Sequence, residues 1–220
     1  MQHSKQMSES LRLAILLTLS GGFMDAYSYI CRDGVFANAQ TGNILLTGVE
    51  LSTGDWMQAL CHFCPVLAFT LGIAAADLVR FRLQGRLKLH WRQITVLAEA
   101  LILLWVAFMP QSLNLAANSL TSFACGLQVE SFRKVRGNGA ATTMCIGNLR
   151  AATQSLCEYC FTLNRPAAKK GIFFYGIIGI FVVGAILGNL CVMRFAEKAI
   201  LFSSILLLAA FLIMFIRREE

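Results

Sequence analysis

Six apolar stretches, at about 12–31, 57–79, 93–110, 114–132, 171–193 and 199–216, are each long enough to cross a bilayer as a helix. A hydrocarbon core of about 30 Å asks for roughly 20 residues of helix. A lipid-exposed backbone must satisfy its own polar groups, so stretches of this length fold as helices rather than as open strands. Composition agrees: 57% of the residues are hydrophobic and 14% are charged, against roughly 45–50% and 25% in soluble domains. Disordered chains, disulfide-stapled secreted modules and most soluble enzymes are excluded, and no large aqueous domain fits between the stretches. The chain reads as one membrane domain over 1–220, an all-α polytopic transmembrane helix bundle whose first partner is the lipid bilayer.

Two further stretches, about 36–51 and 140–162, are interrupted by Gly, Asn and Thr, and the second also by Arg150 and Glu158. Either both cross, giving eight crossings, or both enter without crossing, leaving six. The basic residues decide, because Lys and Arg of short loops collect on the cytoplasmic side. With six crossings and a cytoplasmic N-terminus, 16 of the 19 fall inside. These are Lys5, Arg12, Arg80, Arg82, Arg86, Lys88, Arg92, Arg133, Lys134, Arg136, Arg150, Arg165, Lys169, Lys170, Arg217 and Arg218. Only Arg32, Arg194 and Lys198 fall outside, whereas eight crossings split the charge 8 to 11. Six crossings with both termini cytoplasmic is therefore the expectation. The first apolar run continues into Asp25 with no small-residue cleavage site, so it reads as a retained helix and not as a signal peptide. The net charge of +7 follows from orientation and implies no nucleic-acid partner.

The chain also repeats. A shift of 105 residues lays Gly21 on Gly126, Asp25 on Glu130, Tyr27 on Phe132, Gly34 on Gly139, and Gly42-Asn43 on Gly147-Asn148. Each copy is a helix with an acid near its end, a Gly turn, and an interrupted segment carrying Gly-Asn. Three crossings separate the copies, so the expectation is two inverted three-helix repeats, about 11–110 and 113–217, each with a broken or re-entrant segment. Inverted repeats of this kind place solute sites near the midplane between the halves.

Non-helical backbone at membrane depth is tolerated where it is buried in protein or lines a watery cavity. Asn38 to Asn43 reads as such a break with a half-helix after it, and Thr142 to Asn148 as its counterpart. Two half-helix N-termini near the centre suit an anion, a carboxylate or a polar solute. Gln40, Thr41, Gly42, Asn43, Gln128, Thr143, Gly147 and Asn148 are the candidate substrate-binding residues. The competing reading is that the Gly and Thr residues only let helices pack closely.

Asp25 and Glu130 are the candidate coupling acids. A carboxylate on a membrane helix costs about 2.5–3.5 kcal/mol on insertion scales, so it faces a cavity or a partner, and a buried acid can exchange a proton near neutrality. The alternative is an anchor for the broken segment or, for Glu130 beside Arg133 and Lys134, a hydrated interfacial acid. Glu99 and Asp77 lie nearer the basic loop 80–92 and are expected to pair locally. Cys61-His62-Phe63-Cys64 and Cys157-Glu158-Tyr159-Cys160 have C-x-x-C spacing, but the topology sets them on opposite sides. No metal or cofactor is assigned to them.

Gly21-Gly22-Phe23-Met24-Asp25-Ala26-Tyr27, then Gly34-Val35-Phe36, then Gln40-Thr41-Gly42-Asn43, resembles the opening of the YoaK-like family of bacterial inner-membrane proteins. Gly126-Leu127-Gln128, Thr142-Thr143 and Gly147-Asn148-Leu149 are similar in the second half, with Val129 where the family usually has Asn and Ile146 where it usually has Thr. The resemblance implies a multi-pass protein of the bacterial inner membrane and carries no substrate with it.

The functional expectation is transport of a small solute or ion between the repeats, by a protein that is not an enzyme: no Ser/His pair or His cluster sits at membrane depth. The alternatives are a passive channel and a non-transporting membrane partner or sensor, and a homo-oligomer is compatible with each. A channel would keep running, independent of a proton gradient, after Asp25→Asn.

Overall fold

The computed structural model describes residues 10–83, 90–135 and 137–215. Lys5, Arg86, Lys88, Arg136, Arg217 and Arg218, which enter the charge argument, lie outside the described residues. Among the described residues the chain is all-helical, with one isolated bridge between Val135 and Asn138. The elements are α1 (Leu11–Cys31), α2 (Gln40–Thr53), α3 (Trp56–Leu83), α4 (Trp91–Val106), α5 (Asn114–Ser131), α6 (Ile146–Thr162), α7 (Arg165–Phe195) and α8 (Leu201–Ile213).

Each of the six long apolar stretches contains one helix, and both interrupted stretches end in one. Three helical stretches are long and apolar enough to cross a membrane: Leu11–Cys31, Trp56–Leu83 and Arg165–Ile213. The last is broken at Ala196, whose φ of 47° ends α7 and turns the chain into α8. α4 has 16 residues, and α5 carries Asn114, Asn118, Gln128 and Glu130 along its 18. α2 and α3 form a tight hairpin over Gly54, at φ 81°, and α6 and α7 another over Leu163. Glu50 and His62 pair across the first hairpin at 3.0 Å.

Packing couples the two halves of the chain. α1 lies against α7 and α3 against α5, while α4 touches both α5 and α8, and α8 returns to α1. Both main crossings are built on glycine. A Cβ on Gly126 would strike the Phe69 carbonyl, and one on Gly72 would strike that of Phe123. In the other crossing a Cβ on Gly22 would strike the Phe181 carbonyl, and one on Gly184 that of Leu19. In all four cases the carbonyl belongs to the residue three positions before the partner glycine. Small residues let membrane helices approach to backbone contact, where dispersion and weak polar contacts accumulate. The outward faces are apolar, with Leu71 on α3 and Ile172, Ile186 and Leu190 on α7 exposed, a surface suited to lipid.

Candidate functional site

Asn43 and Asn148 do the same job 105 residues apart. The Asn43 amide donates to the Phe36 carbonyl at 2.8 Å while its oxygen accepts the Phe36 amide at 3.0 Å. The Asn148 amide donates to the Ala141 carbonyl at 2.7 Å and its oxygen accepts the Ala141 amide at 3.2 Å. Each side chain, buried in the first turn of its helix, imitates a backbone partner for a residue seven positions earlier. The loop before α2 and the loop before α6 are thereby held as closed turns with their polar backbone satisfied, as burial requires. The first turns begin at Gln40 and Ile146, and neither has a side-chain cap. In place of a side-chain cap, an Asn inside each first turn reaches backward.

Both loops reach the same point. Gly21 is the middle residue of α1, and its carbonyl accepts the Asn38 side-chain amide at 3.0 Å. Its Cα face touches Thr142 and Thr143 of the other loop, so that a Cβ there would meet the Thr142 carbonyl at 3.0 Å. Gln128 closes the arrangement from α5, donating to the Leu17 carbonyl at 3.1 Å and to the Thr142 hydroxyl at 3.0 Å. Gln40 donates to the Ala37 carbonyl at 2.8 Å and reaches Ser122 of α5. Four polar atoms buried in this neighbourhood have no hydrogen-bond partner: Thr18 Oγ1, Asn38 Oδ1, Gln128 Oε1 and Thr143 Oγ1. A cavity of about 240 Å³ opens beside them, lined by Val129, Phe132, Arg133, Gly139, Ala141, Thr142 and Thr143.

Of the residues singled out by sequence, Thr143 lies against Gly21 and Gln128 joins Leu17 to Thr142 beside it, while Gln40 turns to Ala37 and Ser122, and Asn43 and Asn148 brace the two loops. Gly42 lies against the Phe36 ring, while Thr41 and Gly147 are exposed and join no polar group. Thr18 and Asn38 were not among the candidate ligands. Their signal was a Thr on a buried apolar helix and an Asn opening the interrupted stretch.

The two candidate acids are differently occupied. Asp25 Oδ1 accepts the Asn38 backbone amide at 2.7 Å, holding the loop before α2 onto α1. That interaction takes up polar hydrogen at the start of α2, where an open N-terminus was expected. Glu130 pairs with Arg133 one turn on and with Arg80 of α3 at 3.6 Å. Asp77 joins the same group through Arg80 at 3.2 Å and Arg133 at 3.6 Å, as local pairing predicts. Glu99 departs from that prediction. It is fully buried midway along α4, and neither carboxyl oxygen has a hydrogen-bond partner. On a helix of 3.6 residues per turn, its position faces the packed side of α4 rather than the basic loop.

Arg32, counted among the three basic residues on the outside, is fully buried. Its Nε donates to the Tyr27 hydroxyl at 2.8 Å, and its terminal nitrogens donate to Asn114 Oδ1 and to the carbonyls of Val106, Met109 and Pro110. Asn118 donates in turn to the Arg32 carbonyl at 2.8 Å, and the Tyr27 hydroxyl donates to the Glu197 carbonyl at 3.1 Å. One guanidinium thus ties the end of α1 to the end of α4, the start of α5 and the α7–α8 junction.

Among the described residues no three His, Cys, Asp or Glu side chains gather as a metal ion would need, and all eight cysteines are free thiols. The arrangement can bind by hydrogen bonding, through hydroxyl and amide groups and the two closed turns. No curated protein and no solved structure matches the chain. A family model does, over residues 13–213, under the description "Protein of unknown function (DUF1275)". That span covers both loops, Gly21 and all the helices except the first two residues of α1, and the chain belongs to the DUF1275 family.

Proposed function

We propose that this chain is a multi-pass transporter of the bacterial inner membrane that moves a small polar solute or ion past Gly21, between two inverted halves. α1, α3, α4, α5, α7 and α8 are the six crossings, and α2 and α6 are half-helices that start at mid-depth and return to the side from which their loops entered. Both termini are cytoplasmic, on the side of the basic clusters. The observation that carries the reading is the meeting of two like-built loops, 105 residues apart, on the central residue of one helix. Buried polar atoms without partners surround the meeting point. Broken segments in corresponding positions of two halves are the strongest structural pointer to a transport site.

The hydrogen bonds support six crossings over eight. Arg32 joins the end of α1 to the end of α4; with eight crossings those ends would lie on opposite sides. Arg80, Glu130 and Arg133 join the ends of α3 and α5, and Ser131 donates to Thr95 near the start of α4 at 2.8 Å, contacts that either count of crossings allows. Asp25 holds one loop in place, so its protonation is suited to loosening that loop and coupling access to a proton. A non-transporting partner protein would pack the same loops dry.

The test uses Cys145, partly exposed at the start of α6. With the other seven cysteines replaced, a charged methanethiosulfonate reagent is expected to modify Cys145, and Thr143→Cys after it, in membrane vesicles. Absence of modification at both positions in folded protein would sink the transport reading.

A further inference from the structure

Glu99 belongs to none of the groups assigned so far, yet it occupies the costliest position on the chain. It sits midway along α4 where α5 and α8 pack against it, fully buried, with both oxygens unpartnered. The neighbouring polar groups are occupied elsewhere. Ser204 of α8 donates to the Ala100 carbonyl at 2.8 Å, Ser203 shares a hydrogen bond with Ser20 of α1, and Thr95 donates to the Arg92 carbonyl at 2.9 Å.

Among the described residues no cation stands within this shell. α8 has no titratable side chain between Leu201 and Ile213. α5 offers Cys125, which lies between Glu99 and Asp25 and donates to Met24 Sδ at 3.8 Å. Among the described residues the other charged and titratable groups nearby lie toward the ends of the packed helices: Arg80, Asp77, His90, Arg92, Glu130 and Arg133 at one end, and Arg32, Glu197 and Lys198 at the other. A carboxylate with neither a donor nor a cation in an apolar interior is far costlier than the neutral acid, which retains a transferable proton. An intramembrane acid without a structural partner is in the position of a proton relay.

We propose that Glu99 is an exchangeable proton site in the α4–α5–α8 interface, and that its proton is a second coupling ion for solute movement beside that of Asp25; the second half of this statement rests on the transport reading above. In the closed arrangement Glu99 is the neutral acid. When α4 separates from α8, the O–H bond breaks, the proton passes to entering water, and the carboxylate left behind is hydrated. Protonation from the other side restores the closed arrangement. Asp25 is set apart by the Asn38 amide on its carboxyl, a donor that Glu99 lacks.

Infrared spectroscopy of the full chain in lipid tests this directly, with protons and deuterons as the probe. The carbonyl stretch of a neutral, non-hydrogen-bonded carboxylic acid is expected in the wild type, lost in Glu99→Gln, and kept in Asp25→Asn. It is expected to move on transfer to D₂O, because the proton exchanges. Glu99→Met, an apolar replacement of similar length, is a second variant in which the band must vanish, should the Gln variant fold poorly. A band that persists in both Glu99 variants overturns the proposal, as does a band that never shifts in D₂O. The Cys145 labelling separates the two claims. An exchanging Glu99 proton beside an unreactive Cys145 would remove the transport reading and leave the proton site standing, whereas a reactive Cys145 with no Glu99 band would do the reverse.

Discussion

Arg32 shows how one residue can set the geometry of four elements. Its five N–H groups have five acceptors, all neutral: a phenol, an amide oxygen and three carbonyls at the end of α4. The Val106 and Pro110 carbonyls also accept the Met109 and Leu113 amides, and the guanidinium adds a charged donor at the negative end of the helix dipole. Lysine brings the same charge but only three donors on a point-like head, without the planar fork. Arg32→Lys is therefore expected to lower stability by about 1–3 kcal/mol, from the acceptors that lose a donor. Thermal unfolding in detergent would read this as a clear fall in Tm, and an unchanged Tm would show that the strap is idle. Neither Arg32 nor Glu99 was legible in the sequence, and the reason is the same for both. The acceptors of Arg32 come from residues 106, 109, 110 and 114, and the burial of Glu99 comes from α5 and α8, so each depends on contacts made far along the chain. Asp77, whose partner Arg80 is one turn away, was legible because local spacing suffices.

Among the elements, the helices themselves were largely readable, since a membrane helix announces itself by length and apolarity. The Gly-Asn pairs were readable as well, because Asn43 and Asn148 recur at the same shift that aligns Gly21 with Gly126. What the sequence left open was which glycines carry the crossings. Gly22, Gly72, Gly126 and Gly184 each face a partner backbone carbonyl, while Gly176 and Gly179 on α7 face open space. The first four have no room for a methyl group unless two helices move apart, since a carbonyl cannot rotate out of the way as a side chain would. Gly72→Ala and Gly126→Ala are each expected to cost about 1–3 kcal/mol, as overpacking does. Because both residues lie in one crossing, the double variant is expected to cost less than the two single costs combined. Gly176→Ala and Gly179→Ala are expected to be neutral or to stabilise α7 by up to about 1 kcal/mol, through helix propensity alone. Unfolding in detergent for the five variants compares the two classes, and equal effects across them would contradict the close approach of the helices.

At the scale of the whole molecule, the halves interlock rather than sit side by side. α1 of the first half packs on α7 of the second, and α5 of the second packs on α3 of the first. Such an exchange gives each half a partner it lacks alone, and it lets both loops reach α1 at Gly21. The prediction that belongs to this scale is topological. With six crossings, the α2–α3 turn at Gly54 and the α4–α5 turn at Gln111 lie together on the outer face, and the α6–α7 turn at Leu163 lies inside. With eight crossings Gly54 and Gln111 both move to the inner face, so the two turns report jointly. Gly54→Cys and Gln111→Cys, each in a background without the native cysteines, are expected to react with a membrane-impermeant maleimide added to intact cells. Leu163→Cys is expected to react only after the membrane is opened. Protection of Gly54→Cys and Gln111→Cys would make α2 and α6 full crossings and turn the halves parallel. The meeting at Gly21 would then join loops from a single side, and it would no longer mark a point where solute passes between two faces.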